Sequence, residues 1–321
     1  MRIVVLDSYT TDQGEPESFW APLRAFGEVT LHPRTAAGDV VARCQGATAV
    51  LTNKVVLGAA ELAALPDVRY VGVLATGTNV VDLAAARAAG VVVTNVPGYA
   101  TDAVAQLVFG LILHFTHDVA GHAAAVRSGG WTESPDYCFF RQPLTELAGK
   151  TLALVGSGAI GEAVARIAEA FGMKTVRGAV PGSATRAARV PLQQALPLAD
   201  VVSLHCPLTA ATQGLVGARF LQAMRPDAIL INTGRGGLID EAALVHALDQ
   251  GRLRGVGLDV LSAEPPPAGH PLTRADASWS RRVVITPHIG WGTVEARHRL
   301  ARAVADNLAA FVAGQPRNRV A

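Results

Sequence analysis

The stretch TLALVGSGAIGEAVARIAEAFGMKTVRGAVPGSATRAARV, residues 151–190, decides how this chain is read. It opens on a short apolar strand and turns through Gly156-x-Gly158-x-x-Gly161. An Ala-rich helix follows, and then a second strand, KTVRG (174–178). That pattern inside a βαβ unit is the setting of a dinucleotide cradle. Gly156 permits the tight turn, Gly158 lets the backbone approach a pyrophosphate, and Gly161 lets helix and strand pack closely. The helix N-terminus offers free N–H groups to the phosphates. An acid that grips the ribose normally follows about 20 residues on. Here Ala170–Ala199 contains no Asp or Glu, and the second strand ends at Gly178-Ala179. Without that carboxylate nothing repels a 2′-phosphate. Arg177, with Ser183, Thr185, Arg186 and Arg189 after it, offers the cations and hydroxyls that a phosphate dianion takes. The expected cofactor is NADP or NAD, with NADP favoured by Ala179; solvated surface is the plainer reading of the arginines.

The same rhythm extends both ways. RIVVLD (2–7), VTLH (29–32), TAVLTN (48–53), YVGVLA (70–75) and VVVTN (91–95) precede the cradle. VVSLHC (201–206), AILINT (228–233), GVGLDV (255–260) and VVIT (283–286) follow it. Short apolar strands alternating with helical pieces imply an α/β protein with parallel sheets covered on both faces. One long helix is expected from about Thr101 to Arg127, capped by Thr101 or Asp102. An irregular aromatic stretch, 129–149, comes next. The terminal segment 293–314 is a helix with Leu300, Val304, Leu308 and Phe311 at helical spacing. A chain of 321 residues suggests two domains. A net charge of +2 from scattered residues gives no concentrated positive face for nucleic acid. No apolar run reaches membrane-spanning length, and MRIVVLDSYT is not a signal peptide. The sparse Cys44, Cys138 and Cys206 read as reduced thiols, so a cytoplasmic protein is expected. His114, His117 and His122 share a helix face only roughly, and no metal site is expected.

Strand ends supply the chemistry. Arg235 lies in ILINTGRGGLIDEAAL, Glu264 in GVGLDVLSAEPPP and His288 in VVITPHIGWGT. Each is an apolar strand spilling into a Gly- or Pro-rich loop, and strand C-termini line the ligand crevice of an open parallel sheet. The loop LATGTNVVD carries Gly77 and Thr78, whose N–H groups suit an anion. Asn53 and Lys54 end the strand before it.

Together with TNKV (52–55), ATGTNVVD (75–82), GVVVTNVPGYATDAVAQ (90–106), VGSGAIG (155–161), LHCPLTAAT (204–212) and TPHIGWGT (286–293), these segments resemble the D-isomer-specific 2-hydroxyacid dehydrogenases. The resemblance runs from about Thr48 to Gln315 and is strongest to the hydroxypyruvate reductase, glycerate dehydrogenase and glyoxylate reductase branch. It implies two doubly wound domains with a cleft between them. A flavodoxin-like substrate domain would span 1–98 plus 291–321, and a Rossmann cofactor domain 99–290. It implies NAD(P)H-dependent reduction of a small 2-keto acid, with Arg235 holding the substrate anion. His288 would be the proton donor, and Glu264 would bond its far ring nitrogen. Lys54, Gly77, Thr78, Arg235 and His288 would contact substrate. By position, Ala159, Ile160, His205, Cys206, Pro207, Thr212, Thr233, Gly234, Arg235, Asp259, His288 and Gly290 join the glycine loop and Arg177 around the cofactor. Asp259 would take the carboxamide donor that a buried carboxylate needs. Trp291, Tyr137, Phe139 and Phe140 are candidate pocket walls. Gln106 stands where relatives usually carry Glu. The resemblance implies a homodimer. The competing function is a dinucleotide-sensing, corepressor-like binding protein without turnover.

Overall fold

The computed structural model describes residues 1–183 and 189–321, so Thr185 and Arg186 lie outside the described residues. The chain divides into two compact units, Met1–Ala100 with Trp291–Ala321, and Thr101–Gly290.

The first unit is a five-stranded parallel sheet of β1 (Arg2–Val5), β2 (Glu28–Leu31), β3 (Ala49–Thr52), β4 (Tyr70–Val73) and β5 (Val92–Thr94), in the order β2-β1-β3-β4-β5. This is the flavodoxin-like order. Strands β3 and β4 are buried throughout, as strands covered on both faces must be. The terminal helix, Val294–Val312, turns Leu300, Val304 and Leu308 inward. Its Phe311 ring meets Tyr70 at 4.9 Å between centroids. The chain end closes on β5, where the N–H of Val320 donates to Val93 O at 2.8 Å.

The second unit is a six-stranded parallel sheet of β6 (Thr151–Val155), β7 (Lys174–Gly178), β8 (Val201–Leu204), β9 (Ile229–Asn232), β10 (Gly255–Leu258) and β11 (Val283–Ile285). Its order is β11-β10-β9-β8-β6-β7. Among the described residues Val190 makes a single parallel bridge to Gly178 on the outer side of β7. Alternation splits the core. Leu152 and Leu154 face a layer with Ala163, Val164 and Phe115, while Ala153 and Val155 face one with Leu204, Leu230 and Val256. The fold is thus two doubly wound α/β sheets, as the strand–helix alternation implied.

One element differs. The helix expected over 101–127 is two, Thr101–His117 and Val119–Arg127, bent by 56°. Asp118 sits at φ +45 and its side chain accepts from Gly121 N. It also pairs with Arg141 at 2.9 Å. Capping a new helix satisfies N–H groups that a continuous one would bond to its own carbonyls, and the uninterrupted apolar pattern hides this. Thr101 is the first residue of its helix. The glycines of β10 explain how closely that helix lies: a Cβ on Gly255 would stand 2.4 Å from the Phe115 ring. Among the described residues no single helix is long and apolar enough to cross a membrane.

Candidate active site

The site is built on the C-terminal ends of the second sheet. At β6, Gly156 has φ +108, and a Cβ there would lie 2.6 Å from the carbonyl of His205. Only glycine joins β6 to its helix against the end of β8. A Cβ on Gly161 would meet Gly156 O at 2.3 Å, whereas beside Gly158 the space is open. Gly158 and Ala159 are exposed, Ile160 is half-buried, and the helix Ala159–Ala170 begins there. An open face above free N–H groups fits a pyrophosphate. The loop lies where strand order reverses, between β6 and β8, which is the ligand crevice of such sheets.

The ribose end is occupied differently from expectation. Arg177 gives both its Nε and an Nη to Glu162, at 2.9 and 2.6 Å, so its charge is already answered. Ala179 gives its N–H to Val190 O. Arg189 comes over the glycine loop instead. Its guanidinium reaches Ser183 Oγ at 2.8 Å and Ser157 Oγ at 3.3 Å, while its buried Nε has no partner among the described residues.

After β8, burial pushes the His205 imidazole down to about 4, leaving it neutral at pH 7, with Nε2 2.9 Å from Ser203 Oγ. Burial pushes the Cys206 thiol up to about 11, so it packs as a small apolar group. Thr212, 1% exposed, donates to Pro207 O and accepts from Thr209 N, pinning the turn between them. After β9, the buried Thr233 hydroxyl has no partner among the described residues, which suits a polar ligand group. Asn232, fully buried, was not singled out from sequence. Its amide donates to Arg235 O and its carbonyl accepts from Gly234 N. It therefore sets the path of the arginine loop. Arg235 itself is half-buried and donates to Gly234 O.

Asp259, at the end of β10, departs from the expected unpartnered carboxylate. Oδ1 accepts from Thr286 Oγ1 (2.6 Å) and Ile289 N (2.8 Å), and Oδ2 from Gly290 N (2.8 Å). Burial raises its pKa, and these bonds oppose the rise. Its carbonyl also accepts from His288 N. Asp259 thus grips the whole loop after β11. Within that loop His288 is held at φ +54, a conformation costing on the order of 1–3 kcal/mol for a non-glycine residue and characteristic of functional sites. His288 Nδ1 lies 2.6 Å from Glu264 Oε2. Glu264 Oε1 in turn accepts from Leu261 N at 3.1 Å. Arg235, Glu264 and His288 therefore leave three adjacent parallel strands at the same end, and Glu264 and His288 are in direct contact.

Lys54, Gly77, Thr78 and Trp291 lie in the first unit. Lys54 follows β3, and its N–H donates to the carboxylate of Asp7, which burial raises in pKa. Gly77 and Thr78 are half-buried in the loop after β4. That loop is fixed by Thr76 Oγ1 donating to Val96 O and by Asn95 donating to Thr76 O. Trp291 sets its ring edge-on to Tyr99. In the second unit Tyr137 and Phe140 are 89% and 67% exposed, and Phe139 leans on His122. The helix histidines are locally engaged: His122 accepts from Arg141 N, and His117 meets Thr116.

A cradle at the switch point and an imidazole–carboxylate pair beside an arginine loop define a nucleotide-dependent oxidoreductase fold. The family model for the NAD-binding domain of the D-isomer specific 2-hydroxyacid dehydrogenases matches residues 109–290. The chain is 43% identical over 282 residues to glycerate dehydrogenase of Methylorubrum extorquens, covering 88% of each. It is 39% identical over 327 residues to hydroxypyruvate reductase of Blautia hydrogenotrophica, covering 100% of this chain and 99% of that one. Among solved structures it resembles the NADPH-dependent glyoxylate/hydroxypyruvate reductase of Sinorhizobium meliloti in complex with NADP and malonate, with TM-score 0.81 and 31% identity, covering 100% and 96% of the two chains. The chain belongs to the D-isomer-specific 2-hydroxyacid dehydrogenase family.

Proposed function

We propose that the protein reduces hydroxypyruvate or glyoxylate to the D-2-hydroxy acid, with His288 as proton donor. The observation that carries this is the 2.6 Å contact of His288 Nδ1 with Glu264, in a loop held at a strained dihedral. With Nδ1 engaged, Nε2 is the ring atom left to face substrate. A bound nicotinamide supplies the hydride. Arg235 holds the keto acid's carboxylate and carbonyl oxygen, bidentate and permanently charged. As charge grows on that oxygen, Nε2 of the imidazolium gives up its proton, and Glu264 keeps the ring oriented. In the reverse direction the neutral ring accepts the proton. Lys54, Gly77 and Thr78 carry over from the family as substrate contacts. No observation favours a dinucleotide sensor without turnover.

For the cofactor we propose NADPH over NADH. Arg189, reaching Ser157 and Ser183 with an Nε that has no partner among the described residues, takes the 2′-phosphate, rather than Arg177, which Glu162 already neutralises. The relatives include the NADP-bound Sinorhizobium enzyme. We also propose a homodimer, in which Val119, Trp131, Tyr137 and Phe140, all more than half exposed, are covered by a second copy.

The test is steady-state reduction of hydroxypyruvate followed at the nicotinamide absorbance. His288→Ala should lower kcat by about 10²–10⁴-fold, with the unfolding midpoint unchanged. A variant keeping more than a tenth of the activity would remove His288 from the reaction.

A further inference from the structure

Glu241 lies at the start of the helix Glu241–Asp249, behind the cap Asp240, and nothing in the chemistry above uses it. Its side chain is not spent on its own helix. Oε1 accepts from Ser262 N at 2.8 Å; Oε2 accepts from Ser262 Oγ at 2.8 Å and faces His270 Nε2 at 3.0 Å. His270 is 6% exposed, and its Nδ1 accepts from Leu272 N. That bond fixes the tautomer in which Nε2 is the donor. One carboxylate thus holds both ends of the loop 262–270. Between those ends the loop, with Pro265, Pro266, Pro267 and Gly269, is solvent-exposed and without regular structure.

Glu264 rides on this loop. Its Oε1 is tied to Leu261 N, one residue before Glu241's anchor at Ser262, and its Oε2 meets His288. The arginine loop presses on the same place: a Cβ on Gly236 would stand 1.9 Å from the Leu261 carbonyl and 2.4 Å from Ser262 N. Glu241 follows that arginine loop in sequence and reaches across to the glutamate loop.

We propose that Glu241 is a positioning residue for proton transfer, a bracket that sets the carboxylate of Glu264 and, through it, the ring of His288. The inference rests on the reading of His288 as proton donor. A carboxylate on an untethered, exposed loop samples many positions, and orientation of the ring is what Glu264 contributes. The bracket couples that orientation to the element bearing Arg235, so the substrate clamp and the proton donor keep register.

A double-mutant cycle in the full-length protein, with hydroxypyruvate and NADPH, tests it. Glu241→Ala should lower kcat by about 10-fold, leave the KM for NADPH unchanged, and shift the pH profile of kcat in the same direction as Glu264→Gln. On the Glu264→Gln background it should cost less than about 3-fold more, because residues acting through one another are not additive. Ser262→Ala, which leaves the helix start intact, should show the same non-additivity on a smaller scale and serves if Glu241→Ala does not fold. If the Glu241 and Glu264 effects multiply in full, or folded Glu241→Ala keeps wild-type kcat and pH profile, the bracket is wrong. More than a tenth of the activity in His288→Ala would instead overturn the proton-donor reading beneath it.

Discussion

Asp259→Asn tests how the proton donor's loop is held. The carboxylate receives three protein donors, two on Oδ1 and one on Oδ2. An amide has one acceptor oxygen, so its NH2 must face an N–H. If the oxygen stays with Thr286 and Ile289, Gly290 N–H loses its acceptor. A buried donor left unsatisfied costs about 1–3 kcal/mol. Relief of the buried charge works the other way, since burial already disfavours the ionised form. A net loss of about 1–2 kcal/mol remains on this balance. That loss falls on the segment holding His288 at φ +54, and each 1.36 kcal/mol in the barrier is tenfold in rate. We expect kcat to fall about 10-fold, with a smaller change in KM, and the urea midpoint to drop at pH 7. The pH dependence has a definite sign. The folded-state pKa is raised by burial above the ordinary carboxylate value of 3.8, so the native protein binds the extra proton between the two values. Stability contributed by this group is therefore lost as pH rises from 3.8 through the raised pKa. The Asn variant lacks that slope. Urea titrations across this window and initial rates at pH 7 measure both effects. A variant matching wild type in rate and midpoint would refute the clamp.

Three other perturbations bear on the cofactor half. Arg189→Ala should cut kcat/KM for NADPH by about 10-fold or more, the loss of a charge-assisted pair, and leave NADH untouched; a wild-type enzyme favouring NADH more than tenfold would defeat the NADP assignment. Gly156→Ala combines a φ of +108 with a Cβ 2.6 Å from the His205 carbonyl, and should lose cofactor binding by fluorescence titration along with several degrees of Tm. His205 is depressed from 6.5 to about 4, so the unfolded chain binds the proton first and stability rises with pH from about 4 to about 6.5; that rise should be reduced in His205→Gln, and an unchanged curve would show that another group titrates there.

What the sequence revealed was backbone; what it concealed was partnership. Strands such as Ala49–Thr52 and Ile229–Asn232 are legible because β-branched apolar runs bounded by Gly, Pro or Asn have few other uses. The break at Asp118 was not, since an apolar helical pattern runs straight through it and only the cap bond to Gly121 and the pair with Arg141 reveal the turn. Arg177 read as free because its partner, Glu162, is 15 residues away on the preceding helix. Asp259 read as a carboxylate awaiting a ligand because its donors lie beyond a distant strand. Asn232 and Glu241 carry no motif signal of their own. Their importance is in which loop each one reaches, and loops meet through sheet order rather than through spacing.

Sheet order also explains why the proposed functions separate cleanly. In space the strands run β7, β6, β8, β9, β10, β11. Arg189 and Ala179 stand at the β7 margin, the glycine loop at β6, Thr233 and Arg235 beyond β9, and Glu264 and His288 beyond β10 and β11. Since β6 fixes the pyrophosphate on this reading, the nucleotide's phosphorylated ribose falls toward β7 and its reactive ring toward β9 to β11. Adjacent strands are about 4.8 Å apart, so β7 and β11 are separated by roughly 24 Å of rigid, buried sheet. Sites so far apart with no shared partner behave additively. Cofactor preference and proton transfer can then change independently, and a fold of this kind can exchange NAD for NADP without rebuilding its proton donor.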